Sequence, residues 1–217
     1  MENRVIIFAN GSYDEYDFYL KQIRKEDYII CADGGTNYAF DMGLTPHLVI
    51  GDMDSVEKNL LKELDDSRIK IRKYPSEKDE SDLELAINYA IGMKPKEILI
   101  FGALGKRVDH LFANITLLML PLKHGIRTML VDQAHEVYVA SAELTIAGEP
   151  GDYVSLFPLT EEVIGVTTTG LKYVLNNAPL FAGASRGLSN ELTGSAAKIT
   201  LIRGYLLVIK VSKAKTK

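Results

Sequence analysis

The feature that most constrains the fold of this chain is the alternation of short apolar runs with amphipathic stretches through its first part. The apolar runs have the length of β-strands and lie at residues 5–9, 28–32, 48–50, 69–73, 98–101 and 127–131. Between them, apolar side chains recur at helical spacing, as at Leu83, Ile87 and Ile91. Apolar strands that alternate with helices are typical of a parallel sheet covered on both faces. The sequence therefore predicts an α/β domain with a mostly parallel sheet.

The pattern changes after Asp132, where apolar runs follow one another with no helical pattern between them. These runs lie at residues 136–140, 144–147, 153–157, 163–168, 197–202 and 205–211. The segments that join them carry Gly, Pro or Asn, which is typical of turns between antiparallel strands. We therefore predict two domains, an N-terminal α/β domain at residues 1–132 and a C-terminal antiparallel β-sandwich domain at residues 133–217.

Composition disfavours several classes of protein. The formal net charge of −4 argues against non-specific nucleic-acid binding, which needs clustered Lys and Arg. No apolar stretch is long enough to span a bilayer, and the run at 5–9 is too short for a signal peptide. The one cysteine, Cys31, excludes an intrachain disulfide, fits a reducing cytosol and lies in an apolar run that predicts its burial. We expect a soluble cytoplasmic protein with no nucleic-acid or membrane partner.

Glycines and acids follow the second and third apolar runs. Gly34 and Gly35 come directly after Asp33, and glycines after a strand let the backbone approach a ligand closely. An ordinary tight turn has the same pattern. Asp52 and Asp54 form an Asp-x-Asp after the next run, which can place two carboxylates beside one Mg²⁺. The alternative for this segment is a polar turn that caps the following helix.

A capped helix start follows the fourth run. Ser81 and Glu84 have the spacing of a capping box, with Ser81 as the N-cap. Asp82 falls in the first turn, where the helix dipole favours a carboxylate whether or not it has a function. Asp82 is nevertheless a candidate third metal ligand, and Lys78 is a candidate phosphate partner.

The fifth run is followed by the segment 102–110, which contains glycines, a fixed cation and an acid beside a histidine. It is not a P-loop, because no Ser or Thr follows Lys106. Arg107 offers a fork of donors that suits phosphate, and Asp109 and His110 lie at a helix start. A solvated Arg107 and an N-cap Asp109 are the alternatives. Strand ends that carry glycines, acids and cations together provide what metal-bound polyphosphate transfer needs.

These segments, in this order, resemble the thiamine pyrophosphokinase family. The motifs are Asp33-Gly34-Gly35, Gly51-Asp52-x-Asp54-Ser55, Lys78-Asp79-x-Ser81-Asp82 and Gly102-x-x-Gly105-x-Arg107-x-Asp109-His110. In the predicted β-sandwich domain, residues 167–173 and 187–191 resemble that family's thiamine-binding domain. The resemblance covers nearly the whole chain and extends over both predicted domains.

The resemblance implies an enzyme that transfers a pyrophosphoryl group from ATP to the hydroxyl of thiamine, giving thiamine diphosphate and AMP. Asp52, Asp54 and Asp82 would hold Mg²⁺ against the ATP phosphates, and with Asp109 they are the expected catalytic residues. It also implies a homodimer in which thiamine lies between one subunit's β domain and the other subunit's catalytic domain.

The expected substrate-binding residues come from both domains. Lys78 and Arg107 would contact phosphates, and His110, beside Asp109, would face thiamine. Ser189 and Asn190 would hydrogen-bond the aminopyrimidine. Tyr173 would stack on a cationic ring where some relatives have Trp, although a core tyrosine is the alternative. The full expected set is Asp33, Gly34, Lys78, Arg107, His110, Tyr173, Ser189 and Asn190.

In the expected reaction, the thiamine hydroxyl attacks the β-phosphorus of ATP in line and AMP leaves. Asp109 or Asp82 would accept the hydroxyl proton, and because a carboxylate bound to Mg²⁺ is a poor base, Asp109 is favoured. Two other classes of protein remain as alternatives. A metal-dependent nucleotide hydrolase would leave Ser189 and Asn190 unexplained, and a sensor that binds without turnover is disfavoured by the intact acidic motifs.

Overall fold

Strands and helices alternate through the first of two units of the chain, Met1–Asp132, in the computed structural model, which describes residues 4–65 and 69–215. The strands are β1 (Arg4–Phe8), β2 (Tyr28–Ala32), β3 (Leu48–Gly51), β4 (Lys70–Lys73), β5 (Glu97–Phe101) and β6 (Arg127–Val131). The helices are α1 (Tyr16–Gln22), α2 (Gly35–Asp41), α3 (Lys58–Asp65), α4 (Asp82–Gly92), α5 (Val108–Leu117) and α6 (Met119–Lys123). The strands pair in parallel in the order β6-β5-β1-β2-β3-β4. The predicted parallel α/β sheet is confirmed.

Burial along this sheet follows strand position. All five residues of the central strand β1 are buried, as expected where helices cover both faces. Aromatic rings fill one of these faces: Tyr13 packs between Phe8, Tyr19 and Tyr38, with ring centroids 4.4–5.9 Å apart. Strand β4 departs from the prediction of buried apolar strands, because all four of its residues are exposed at the sheet edge. Cys31 is buried, as predicted.

Antiparallel strands form the second unit, Gln133–Lys217. They are β7 (His135–Ala140), β8 (Glu143–Ala147), β9 (Tyr153–Pro158), β10 (Glu162–Thr169), β11 (Ala178–Phe181), β12 (Asn190–Glu191), β13 (Ala196–Thr200) and β14 (Leu206–Val211). One set pairs in the order β12-β9-β14-β7 and the other in the order β11-β10-β13-β8. This arrangement confirms the predicted antiparallel β-sandwich class. Strands β11 and β12 were not predicted: β12 has only two residues, and β11 contains Pro179, which argues against a strand in sequence but is tolerated at the sheet edge where β11 lies.

Local turn geometry agrees with the residues at the strand ends. Ser81 caps α4 as predicted, since its Oγ accepts a hydrogen bond from the backbone N–H of Glu84 at 3.2 Å. The N-cap of α5 is Arg107, so the alternative of Asp109 as N-cap is wrong. Asp33 adopts a left-handed backbone conformation with φ of 45°, at the point where β2 turns into α2. Among the described residues, no helix combines the length and apolar character needed to cross a membrane.

Candidate active site

A cleft of about 720 Å³ lies in the first unit, at the carboxyl ends of the parallel strands. Residues that follow β1, β2, β3 and β5 line it, together with the start of α4. Because parallel strands end at the same edge of a sheet, segments far apart in sequence meet here. The predicted site residues that line it are Asp33, Asp52, Asp54, Lys78, Asp82, Arg107 and His110.

Three carboxylates converge within this cleft. Asp33, Asp52 and Asp82 each offer an oxygen atom, and these three oxygens all lie within 4.8 Å of one another. Asp33 is 5% exposed. A Cβ atom on Gly51 would lie only 3.1 Å from Asp82 Oδ1 and 3.0 Å from the Cβ of Asp33. Gly51, which has a φ of 145°, therefore keeps open the space beside the cluster.

The environment shifts the pKa of two members of the cluster in opposite directions. A hydrogen bond from the backbone N–H of Asp54 to Asp52 Oδ1, at 3.1 Å, is the main reason that the pKa of Asp52 is lowered. Burial raises the pKa of Asp82, and the neighbouring ammonium of Lys78 opposes that rise. Asp33 and Asp52 add repulsion that raises the pKa of Asp82 further. The cluster therefore carries negative charge that its surroundings only partly neutralise.

The oxygen atoms of this cluster suit a hard divalent cation. Asp82 Oδ1 is buried and accepts no hydrogen bond in the described part of the chain. Lys78 Nζ lies 3.1 Å from it, in an ion-pair contact that is not directed as a hydrogen bond. A buried carboxylate oxygen without hydrogen bonds is costly unless a cation satisfies it. In proteins, Mg²⁺ is held by oxygen ligands, usually one or two carboxylates, and completes its coordination with waters and substrate phosphates.

Asp54 lies in the same cleft but outside the group of three carboxylates. Its carboxylate is exposed, and its Oδ1 accepts a hydrogen bond from Ser55 Oγ at 2.9 Å. The left-handed backbone of Met53, with φ of 69°, separates the two aspartates of the Asp-x-Asp motif. The structure thus brings Asp52 and Asp82 together with Asp33, a residue that the sequence motifs assign to substrate binding.

Arg107 and Asp109 form a hydrogen-bonded ion pair at the exposed start of α5. Arg107 donates two hydrogen bonds to Asp109, from Nη2 at 2.6 Å and from Nε at 3.2 Å. These bonds are the main reason that the pKa of Asp109 is lowered to about 2. A carboxylate with so low a pKa accepts a proton poorly near neutral pH. Asp109 therefore lies against the Arg107 guanidinium and accepts two hydrogen bonds from it.

In the second unit, Asn190 holds the segment that carries Tyr173. Asn190 Oδ1 accepts a hydrogen bond from the N–H of Tyr173 at 3.0 Å, and its Nδ2 donates to the Tyr173 carbonyl at 2.6 Å. The same Oδ1 accepts from the N–H of Glu191. Asn190 is buried, whereas Tyr173 is 64% exposed, so the alternative of a core tyrosine is wrong. Ser189, next to Asn190, has a φ of 54°, and its N–H donates to Ser155 Oγ.

Sequence reasoning missed several residues of the cleft. Asn10 and Ser12 follow β1, and Ser76 lines the cleft together with Asp52, whose pKa it helps to lower. A Cβ atom on Gly34 would lie 2.4 Å from Asn10 Oδ1, which explains the glycine at that position. Asn-Gly directly after an apolar run was a signal that could have identified the first of these segments.

Two family models match most of the chain. The model described as thiamin pyrophosphokinase, catalytic domain, matches residues 19–130. The model described as thiamin pyrophosphokinase, vitamin B1 binding domain, matches residues 135–206. The first match lies within the unit that contains the cleft, and the second lies within the antiparallel unit.

Individual proteins with the same description are similar over nearly the full length. The thiamine pyrophosphokinase of Bacillus subtilis (strain 168) is 33% identical over 183 residues, which is 83% of this chain and 86% of the relative. The crystal structure of thiamine pyrophosphokinase from B. subtilis aligns with a TM-score of 0.88 at 30% identity, covering 97% of this chain and 100% of that chain. The crystal structure of thiamin pyrophosphokinase from Geobacillus thermodenitrificans has a TM-score of 0.83 at 28% identity, with 99% and 100% coverage.

Proposed function

This chain belongs to the thiamine pyrophosphokinase family, and from that premise we propose how its own residues carry out the family's reaction. The chain transfers a pyrophosphoryl group from ATP to thiamine and produces thiamine diphosphate. Removal of that group from ATP leaves AMP. We assign catalysis to residues 1–132 and thiamine recognition to residues 133–217, as the descriptions of the two matching family models support.

The convergence of Asp33, Asp52 and Asp82 on one point is the observation that carries the proposal. These three carboxylates would hold Mg²⁺, and Asp54 lines the same cleft. The ion would supply positive charge to the ATP phosphates. Asp82 Oδ1 is buried, and the positive group of Lys78 lies 3.1 Å from it, so this oxygen already attracts a cation, which supports the assignment.

Two cations of the cleft, Arg107 and Lys78, would bind and orient the polyphosphate. Arg107 is held by Asp109 through two hydrogen bonds, which fixes the plane of its guanidinium. Lys78 lies deeper in the cleft, and its flexible stem allows its ammonium to follow a phosphate oxygen. His110 and Asp33 line the same cleft, where His110 would face thiamine and Asp33, with Gly34 next to it in the sequence, would border the phosphates. Positioning and electrostatics of this kind supply most of the rate in phosphoryl transfers.

We propose that thiamine lies between one subunit's β domain and the partner's catalytic domain in a homodimer. The ten-residue helix α5 supports a partner surface, since none of its residues is buried. Val108 is 77% exposed and Phe112 is 65% exposed on that helix.

Measurement of the solution mass tests the homodimer: a dimer has twice the 24.1 kDa of the chain, and a monomer at assay concentration would contradict the arrangement. A cytoplasmic location, where ATP is available, completes the proposal.

The reaction can be tested directly by incubating the purified protein with ATP, Mg²⁺ and thiamine and separating the products by chromatography. AMP and thiamine diphosphate should appear in equal amounts, and both should disappear when thiamine is omitted or EDTA is added. AMP or ADP formed without thiamine would instead indicate a nucleotide hydrolase. Thiamine binding without any product would indicate a sensor.

Loss of the Tyr173 ring is expected to weaken thiamine binding. We expect Tyr173→Ala to raise the KM for thiamine by about tenfold, because an exposed aromatic face that stacks on a cation is worth about 1–2 kcal/mol. Tyr173→Trp should lower KM, since Trp offers the stronger face. Steady-state kinetics at saturating ATP measures both effects.

The stability of these Tyr173 variants provides the control. Because the side chain is exposed, the free energy of unfolding should change by no more than about 0.5 kcal/mol. An unchanged KM in Tyr173→Ala, with this stability retained, would remove Tyr173 from the thiamine site.

A further inference from the structure

We infer that Lys78 is the resident counter-cation of the three-carboxylate cluster, and that its ammonium must leave Asp82 before a divalent cation binds. The inference rests on the proposed function, because it takes the cluster as a metal site. Lys78 Nζ lies 3.1 Å from Asp82 Oδ1, and the Lys78 side chain is only 11% exposed. Its ammonium therefore stands at the buried oxygen that accepts no hydrogen bond among the described residues.

The ammonium and a divalent cation cannot occupy this place together at low cost. A metal ion bound to Asp82 Oδ1 would lie within a few ångströms of the Lys78 ammonium if that side chain stayed in place, and the two positive charges would repel. Lys78 is partly shielded from solvent, so water and salt screen this repulsion less than they would at an open surface. Metal binding in the absence of nucleotide must therefore break the ion pair between Lys78 and Asp82.

Lys78 is placed on a segment that can release it. Residues 74–81 lie between β4 and α4, outside any helix or strand, so a shift of Lys78 breaks no ladder hydrogen bond. Its second contact is a hydrogen bond from Nζ to the carbonyl of Pro75 at 3.1 Å, within the same segment. The stem of a lysine is long and flexible, so the ammonium can move while the backbone stays in place.

The phosphates of ATP provide the second partner for this ammonium. Lys78 lines the cleft together with Arg107, so an ammonium displaced from Asp82 stays within the site that would receive the polyphosphate. Nucleotide that binds Lys78 thereby frees the cluster for the metal, and metal that binds the cluster frees Lys78 for the nucleotide. By linkage, each ligand raises the affinity for the other. Lys78 thus couples metal and nucleotide binding and keeps the metal affinity of the empty enzyme low.

Mn²⁺ binding to the nucleotide-free protein, followed by the electron paramagnetic resonance of free Mn²⁺, tests this. We expect Lys78→Met to bind Mn²⁺ about tenfold more tightly than the unmodified protein, because removal of a unit charge at contact distance removes the competitor. Lys78→Arg keeps a cation of similar length and should stay close to the unmodified protein. Lys106→Met is the charge-matched control, since Lys106 is exposed and lines the same cleft, and its Mn²⁺ affinity should stay almost unchanged.

Several results of these Mn²⁺ titrations would overturn the role assigned to Lys78. A merely structural role for Lys78 predicts that Lys78→Met binds Mn²⁺ no better or more weakly, and that result overturns the inference. An equal gain in Lys78→Met and Lys106→Met also overturns it, because net charge alone would then account for the effect. If turnover depends on Mg²⁺ but Lys78→Met shows no gain, the inference fails and the proposed function stands. If no Mn²⁺ binds and turnover is insensitive to EDTA, the metal site itself fails and the inference fails with it.

Discussion

Replacing Asp82 with Asn is expected to lower kcat by about a thousandfold while the fold stays intact. Asp82 contributes a buried oxygen to the three-carboxylate cluster, and that oxygen accepts no hydrogen bond in the described part of the chain. An asparagine has the same shape but lacks the charge that would hold Mg²⁺. The cap of α4 should remain, because it depends on Ser81 and the N–H of residue 84. Steady-state kinetics at saturating Mg²⁺ and ATP measures the loss.

The same substitution should raise stability at neutral pH. Burial raises the pKa of Asp82 in the folded protein, which means that folding disfavours its charged form. This destabilisation is present above the folded pKa and is relieved as the pH falls through that value. Asp82→Asn should therefore unfold at a higher temperature than the unmodified protein at pH 7, and the difference should shrink in acid.

Glu77→Gln is the matched control, because Glu77 is an exposed acid on the same segment and loses the same charge. Its kcat should stay near that of the unmodified protein. Near-normal kcat in Asp82→Asn would exclude Asp82 from the metal site. A fall in both kcat and melting temperature would instead assign it a structural role.

A single methyl group at Gly35 is expected to destabilise the first unit by about 3 kcal/mol, the upper end of the range for overpacking. The Cβ atom of alanine at this position would lie 2.1 Å from the carbonyl oxygen of Phe8, a backbone atom. That carbonyl belongs to β1, which pairs with β2 on one side and β5 on the other. Because β1 cannot shift without breaking its hydrogen bonds to β2 and β5, α2 must move away from the sheet. Equilibrium unfolding in urea measures the loss.

Gly92→Ala provides the control at the end of α4. Beyond the backbone of its own helix and its chain neighbours, no atom of the described residues lies within 4 Å of a Cβ atom built there, so alanine meets no obstacle. Its higher helix propensity should leave stability unchanged or raise it by up to about 1 kcal/mol. A loss in Gly35→Ala no larger than the change in Gly92→Ala would show that α2 can shift freely against β1.

The acidic site was only partly predictable from the sequence. The motifs predicted Asp52, Asp54 and Asp82 as metal ligands, because each follows a strand end or begins a helix, and the structure brings two of these three together. The inclusion of Asp33 depends on β2 lying next to β3, which brings the ends of the two strands together. Strand order is a long-range property that local spacing does not encode. The exposed position of Asp54 likewise depends on the left-handed turn at Met53.

The antiparallel unit illustrates a second limit of sequence reasoning. Asn190 and Tyr173 are 17 residues apart in the sequence. The Asn190 side chain hydrogen-bonds both the N–H and the carbonyl of Tyr173, and only the folded structure reveals this contact. Sequence reasoning assigned Asn190 to the aminopyrimidine, and that assignment stays a prediction. The side-chain oxygen of Asn190 already accepts hydrogen bonds from the N–H groups of Tyr173 and Glu191. A ligand could therefore bond chiefly to the remaining amide hydrogen of Asn190.

The exposed edge strand β4 has a consequence for how the enzyme behaves at high concentration. Its sequence is Lys70-Ile71-Arg72-Lys73, so this edge, which pairs with no further strand among the described residues, carries three cations within four residues. A second copy that approached this edge to extend the sheet would bring three like charges against them. Lysine and arginine on edge strands are a known means of preventing such edge-to-edge aggregation. The charge that makes β4 unlike a buried parallel strand therefore protects the folded protein from polymerising through its sheet.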